Sequence, residues 1–295
     1  MNASADAAAP RDPRTFKAAL VQTCTSRDVE RNLAEIGAMI REAAGAGAQY
    51  VQTPEVTTVL ETDRARMPEV IHPEAGNRAL EAYAVLAREL GIWLHIGSMA
   101  VATDGPRYAN RAFLFTPKGD IAARYDKIHM FDVQIGAGQT YQESKRYAPG
   151  SEAVLAELPW ARLGITICYD MRFPALYRAL AKAGAEVIAV PSSFTVPTGK
   201  AHWHALLRAR AIETQCFVLA AAQAGDHECG RQTYGHSIAI SPWGEILAEA
   251  DGTTTGFILA DIDLEAVADA RRRVPSLDND RPFEVVSAST VSHQP

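Results

Sequence analysis

The sequence predicts a single layered α/β domain, on three observations. Short apolar runs of strand length alternate with longer stretches of helical periodicity, two pairs of strand-like runs flank tight turn signals, and no linker, repeat or low-complexity tract divides the chain after its first residues. The domain is read as residues 15–282, between a disordered N-terminal tail at 1–14 and a C-terminal tail at 283–295.

The elements follow in order. FKAALVQT reads as a strand, and DVERNLAEIGAMIREAAGAGA as an amphipathic helix with Leu33, Ile36, Ile40 and Ala43 on one face, ended by Gly45 and Gly47. YVQTPEV is a short strand that breaks at Pro54, ALEAYAVLAREL a second helix and IWLHIGSMAV a third strand. RAFLFTPKGDIAARYDK places two strands around the turn Pro117-Lys118-Gly119-Asp120, a hairpin signal. The segment from Met130 to Pro149 reads as a long loop, and a loop of that length in a compact domain is often functional. LGITICYD is then a strand, ALYRALAKAGA a helix, EVIAVPS a strand, HWHALLRARAIETQ a helix and CFVLAAAQ a strand. YGHSIAIS and EILAEA flank Pro242-Trp243-Gly244, and GFILADID leads into the helix LEAVADARRR.

Composition narrows the function. The 295 residues are 47% hydrophobic, enough for a substantial core. A net charge of -6 and the absence of a basic face argue against binding nucleic acid or an anionic membrane, and Arg271 to Arg273 read as the cationic last turn of a helix. Four cysteines, Cys24, Cys168, Cys216 and Cys229, form neither a disulfide scaffold nor a CxxC pair, which points to a reduced, cytoplasmic protein. Cys216 reads as a strand core residue and Cys229 as an exposed loop thiol. The opening MNASADAAAPRDPR lacks the apolar stretch of a signal peptide, and no run reaches the roughly 18 residues of a membrane span.

Several motifs fail on their spacing. Gly136 and Gly138 lack the third glycine of a dinucleotide loop, and Thr198-Gly199-Lys200 lacks the rest of a P-loop. Gly235-His236-Ser237-Ile238-Ala239 misses the GxSxG elbow and alternates like a strand. His202 and His204, two apart on a helix, point in different directions and cannot both reach one metal unaided, and His227 reads as a surface residue.

Three reactive side chains sit where a strand gives way to a turn: Glu55 after YVQTP, Lys127 in RYDKIHMFD and Cys168 at the end of LGITIC. Singly, each has an ordinary alternative as a solvated carboxylate, a surface lysine or a packed thiol. Together, TPE at 53 to 55, YDKIHMF at 125 to 131 and GITICYDMRFP at 164 to 174 resemble, in order, the three blocks of the nitrilase superfamily of carbon-nitrogen hydrolases, across residues 16–282. The resemblance implies a four-layer α-β-β-α sandwich, at least a homodimer, and a thiol-dependent amidase with Glu55 as general base, Lys127 as transition-state cation and Cys168 as nucleophile. Glu143, in TYQESKRYAPG, matches the family's further glutamate.

That chemistry is self-consistent. A carboxylate that takes the thiol proton makes a nucleophile stronger than water, and a lysine beside the backbone N–H of Tyr169 stabilises the oxyanion without a metal or organic cofactor. Pro174 suits a first helical turn. Arg172 is read as a contact for a substrate carboxylate or as an ion-pair partner of Asp170. His129, Phe131, Phe194, Thr195 and Trp203 are candidates for the pocket rim, and Phe194 and Trp203 serve equally as core or subunit-contact aromatics.

Within the superfamily, CYDMRFP, the stretch from Pro197 to Gly225 and YGHSIAISPWG most resemble the deaminated glutathione amidase branch, which releases 2-oxoglutarate and cysteinylglycine. The ω-amidase branch, acting on 2-oxoglutaramate and 2-oxosuccinamate, is the alternative, with a nitrilase proper and a catalytically silent scaffold behind it. The silent reading requires the loss of a reactive group, and all three are present.

Overall fold

A computed structural model of the chain describes residues 14–135 and 140–287. Residues 1–13 and 288–295 of the expected tails, with Gly136 and Gly138, lie outside the described residues.

Strand β1 (Thr15–Gln22) leads to α1 (Val29–Gly45), which starts where the Asp28 carboxylate accepts from the N–H groups of Glu30 and Arg31. After β2 (Tyr50–Gln52), a single turn α2 (Met67–Val70) precedes α3 (Arg78–Leu90), capped by Asn77 and closed by Gly91 at φ +63°. Strands β3 (Trp93–Val101), β4 (Tyr108–Phe115) and β5 (Ile121–Asp126) form an antiparallel meander.

The segment from Met130 to Pro149 corrects the expectation of a plain loop. It holds a small antiparallel pair, β6 (Asp132–Gln134) and β7 (Thr140–Gln142), then a 3₁₀ turn over Glu143–Lys145 and β8 (Tyr147–Ala148), which joins β4. Strands of two or three residues carry too little periodicity to be read from sequence.

The second half runs β9 (Val154–Glu157), β10 (Arg162–Ile165), α4 (Pro174–Lys182), β11 (Val187–Ala189), α5 (Val196–Thr214) and β12 (Phe217–Ala220). A small ribbon of β13 (Ala224–Asp226) and β14 (Gln232–Tyr234) follows, then the hairpin β15 (Ile238–Ile240) and β16 (Ile246–Glu249), β17 (Gly256–Asp263) and α6 (Glu265–Arg273). Helix α5 begins six residues earlier than the sequence suggested, because Pro197 sits in its first turn, where its missing N–H costs nothing.

Two sheets result. One runs β17-β1-β2-β3-β4-β5 with β8 beside β4, the other β16-β15-β12-β11-β10-β9. Strand β1 shows how they stack: Ala19 and Val21 face a core shared with Ile36 and Ile40 of α1 and Leu80 and Tyr83 of α3, while Ala18 and Leu20 face a second core with Ile165, Val187 and Leu219 of the other sheet. That second core extends to Tyr177 of α4 and to Trp203, Leu207 and Ala211 of α5. Both faces of both sheets are therefore covered, which gives the α-β-β-α layering. Trp203 is wholly buried, with its indole N–H donating to the His236 carbonyl, so it is a core residue. Among the described residues no helix is long and apolar enough to cross a membrane.

Candidate active site

The chain segments leaving β2, β5, β10 and β11 converge at one edge of the sheet stack, the usual place for a site in such sheets. Close approach there depends on Gly97 of β3: a Cβ would stand 2.0 Å from the Thr53 carbonyl oxygen and 2.4 Å from the Pro191 side chain.

Cys168 does not end a regular strand. β10 stops at Ile165, yet the Thr166 N–H donates to Ala189 O and the Cys168 N–H to Pro191 O at 2.9 Å, so the bonding to the β11 side continues up to the thiol. There the backbone turns into the left-handed region, φ +48° at Cys168, and enters a 3₁₀ turn over residues 168–172. Buried Asp170 pins that turn. One of its oxygens accepts from Ile167 N–H and, at 2.6 Å, from the Tyr125 hydroxyl; the other lies 2.7 Å from His129 Nδ1 and accepts from His129 N–H. The Arg210 guanidinium adds a bond to the Met171 carbonyl. A non-glycine residue at positive φ is held by such surroundings.

Glu55 and Lys127 are almost fully buried, at 4% and 2% exposure, so their charges must be paired. Lys127 Nζ lies 2.8 Å from Glu55 Oε1 and 2.9 and 3.1 Å from the two oxygens of Glu143. Asn110 Nδ2 donates to both carboxylates, Ser193 N–H to Glu55 Oε2 and Phe131 N–H to Glu143 Oε2. The Glu55 main-chain carbonyl is held by Gln223 Nε2. Every group around Glu55 Oε1 and Oε2 is a donor, a setting for an ionised carboxylate.

The electrostatics agree. Burial works to raise the pKa of Glu55, but the charge and hydrogen bond of Lys127, helped by Arg231, hold it below its ordinary value. For Lys127 burial is again opposed, here by Glu143 and Glu55, and the ammonium is held well above its usual range. Burial and then the Glu55 charge push the Cys168 thiol up, with Lys127 offsetting them only in part. The resting site thus pairs a protonated thiol with an ionised carboxylate, and the thiolate forms only as its proton passes to a base.

These groups open onto a cavity of about 100 Å³ lined by Glu55, Lys127, Glu143 and Cys168. Tyr169, Phe131, Phe194 and Thr195 also line it, whereas His129 and Arg172 lie outside the lining. His129 stacks on Phe173 with centroids 3.5 Å apart. Arg172 makes no ion pair with Asp170; its Nη2 lies 3.2 Å from His202 Nδ1 and its guanidinium lies over the Phe194 and Tyr169 rings. The carboxyl group of Asp170 is already filled by Tyr125, His129 and Ile167.

Sequence reasoning missed Asn110, Ser193, Arg146 and Arg231, all in the lining. Asn110, one polar residue in the buried run of β4, stands out only once Glu55 and Glu143 are placed beside it, and nothing local marks Arg231, which the β13–β14 ribbon brings in. Asn110 Oδ1, Ser193 Oγ and Arg231 Nε are buried without a partner among the described residues.

Comparison with known proteins finds relatives over most of the chain. Residues 17–272 match the family described as carbon-nitrogen hydrolase. The chain is 39% identical over 266 residues to the deaminated glutathione amidase of Yersinia enterocolitica, covering 89% of this chain and 92% of that protein. It is 36% identical over 261 residues to the omega-amidase of Homo sapiens, covering 88% and 93%. Among solved structures, the C. elegans NitFhit protein superposes with a TM-score of 0.84 at 35% identity, over 90% of this chain and 65% of that longer one. Saccharomyces cerevisiae Nit3, a member of branch 10 of the nitrilase superfamily, superposes with a TM-score of 0.80 at 28% identity, over 89% and 95%.

Proposed function

The chain belongs to the carbon-nitrogen hydrolase family, and from that premise we propose that this amidase cleaves deaminated glutathione to 2-oxoglutarate and cysteinylglycine through a Cys168 acyl-enzyme. The observation that carries the substrate is the pair of cationic side chains, Arg146 and Arg231, lining a cavity that also holds the thiol. Deaminated glutathione carries two carboxylates, one on the 2-oxo acyl half and one on the departing dipeptide; 2-oxoglutaramate carries only the first. Planar guanidinium groups bind carboxylates well, and the free Arg231 Nε offers a buried donor.

Glu55 accepts the Cys168 proton as sulfur bonds to the amide carbon. The oxyanion meets the Tyr169 N–H and Lys127, whose three N–H bonds divide among Glu55, Glu143 and the oxyanion. The Cys168 N–H is committed to Pro191 O, which leaves Tyr169 as the next donor on the turn. Glu55 returns the proton to the amine as the C–N bond breaks, leaving a thioester. It then takes a proton from water, which adds to the thioester carbon, and sulfur leaves with that proton.

The test is 2-oxoglutarate release, measured with a coupled dehydrogenase, from deaminated glutathione and 2-oxoglutaramate in parallel. We predict a kcat/KM for deaminated glutathione at least about tenfold higher. The reverse ratio would assign the chain to the omega-amidase reading.

The chain also pairs with a second copy in this proposal. Ile212, Trp243, Ile246, Leu247 and Val274 are exposed by 43–50% of their surface. Ile212 of α5 packs against Gly244 of the β15–β16 turn, and the Arg273 guanidinium sits 3.9 Å above the Trp243 ring, so α5, this turn and the end of α6 meet at the surface beside edge strand β16, which carries Ile246 and Leu247. The prediction is that Leu247→Asp halves the mass seen by light scattering; a monomeric parent, or an unchanged mass in the variant, would count against pairing through this face.

A further inference from the structure

We propose that His204, His236 and Glu249 form a binding site for one divalent transition-metal ion of the zinc class, separate from the amide-cleaving centre. They are the one group among the described residues in which three such side chains bring donor atoms within 4.8 Å of one another. His204 Nε2 and His236 Nδ1 lie 2.7 and 2.9 Å from the same oxygen, Glu249 Oε1. Donors around tetrahedral zinc, with bonds of about 2.0–2.1 Å, stand roughly 3.3 Å apart, so small side-chain rotations admit the ion. Two imidazoles and one carboxylate suit zinc, leave a fourth position for water, and also accept copper, nickel or cobalt.

The three ligands come from separate elements, and the fold holds those elements in register. His204 lies on α5, His236 precedes β15, and Glu249 ends β16. The Trp203 indole donates to the His236 carbonyl at 2.9 Å and thereby ties the residue beside one ligand to the backbone of another. Glu249 is the register partner of Ile238 across β15–β16. His236 itself sits at φ +58°, and its N–H donates to Asp251 O. Room for its ring depends on Gly252, where a Cβ would stand 3.0 Å from His236 Nε2. A left-handed histidine costs energy that the surroundings must offset, and here it aims a ring nitrogen at the shared carboxylate.

In the metal-free arrangement Glu249 Oε1 is where both ring nitrogens converge. Binding asks each ring to present a lone pair instead, with the ring proton carried on its other nitrogen: Nδ1 of His204 and Nε2 of His236. The sequence excluded His202 and His204 as a joint site, and His202 indeed turns to Arg172; the partner of His204 is brought from 32 residues further along the chain. None of the three ligands lines the amidase cavity, but α5 also carries Thr198, and the segment leading to His236 carries Arg231, both of which do. An ion here clips two walls of that cavity together without touching the reacting atoms.

The test titrates chelator-treated protein with Zn²⁺ by calorimetry and with Co²⁺ by absorption, using the parent, His204→Ala and Glu249→Gln. Both substituted side chains are partly solvent-exposed, so metal-free melting and turnover should match the parent. The expected result is one ion per chain, cobalt ligand-field bands without thiolate charge transfer, a higher melting temperature on binding, and affinity weakened about tenfold or more in each variant. Absence of binding in the parent, undiminished affinity in both variants, or a thiolate band pointing instead to Cys24 near His227 would each overturn the site.

Discussion

Replacing Cys168 with alanine is expected to abolish amide hydrolysis, a loss on the order of 10⁶-fold for removal of a nucleophile, while the fold persists. The fold persists because what positions residue 168 is main chain. Its N–H bond to Pro191, its positive φ, and the Asp170 and Arg210 bonds that brace the following turn all survive the loss of one sulfur atom. The destabilisation is about 1 kcal/mol, the usual cost of one buried heavy atom. Alternative thiols are poorly placed: Cys216 is wholly buried in the core between the sheet and α5, and neither Cys24 nor Cys229 lines the cavity. Turnover of deaminated glutathione and 2-oxoglutaramate, together with the intact mass of the protein mixed with either, checks the point. Residual turnover within tenfold of the parent would move the nucleophile elsewhere, and an acyl adduct on the variant would do the same.

The parts of the molecule legible in the sequence were those set by local chemistry. The apolar strand run of β1, the one-sided apolar pattern and glycine stop of α1, and the Pro-Lys-Gly-Asp turn between β4 and β5 each depend on neighbours a few residues away. Glu55, Lys127 and Cys168 were visible because each follows a recognisable strand. The end of β10 was hidden, since the apolar run continues through Ile167 after the regular ladder stops at Ile165. Asn110, Asp170 and Arg231 were not legible as site residues. Asn110 reads as one polar residue in a strand until Glu143 arrives from 33 positions away, and Asp170 gains its meaning only when Tyr125 and His129 close over it. Tertiary contact, which a local pattern does not encode, made these assignments.

Glu55→Gln separates the proposed base from the proposed nucleophile and gives the second large effect. Turnover is predicted to fall by about 10²–10⁴-fold, the usual contribution of a positioned general base, even though the thiol becomes easier to ionise. The second half follows from sign: burial and then the Glu55 charge raise the Cys168 pKa and Lys127 lowers it, so removing the carboxylate charge takes away one of the two main raising influences and leaves Lys127 to oppose burial alone. The variant therefore holds more thiolate near neutral pH and yet has no group to return a proton to the amine. Glutamine also fits badly. Lys127 and Asn110 donate to Oε1 and Ser193 N–H donates to Oε2, so either orientation of the amide sets its NH₂ against a donor, at a cost of roughly 1–3 kcal/mol. Lys127 keeps Glu143, so no buried cation is orphaned. Because the folded-state pKa of Glu55 is lowered, its stabilisation is present above the ordinary carboxylate value of 4.5 and is lost as pH falls through the depressed one. The stability gap between parent and variant should accordingly be full near neutral pH and narrow in acid. Urea unfolding at several pH values, thiolate absorbance against pH, and kcat/KM measured together test the account. Turnover within a few-fold of the parent, or a Cys168 titration that moves upward, would remove Glu55 from the role of base.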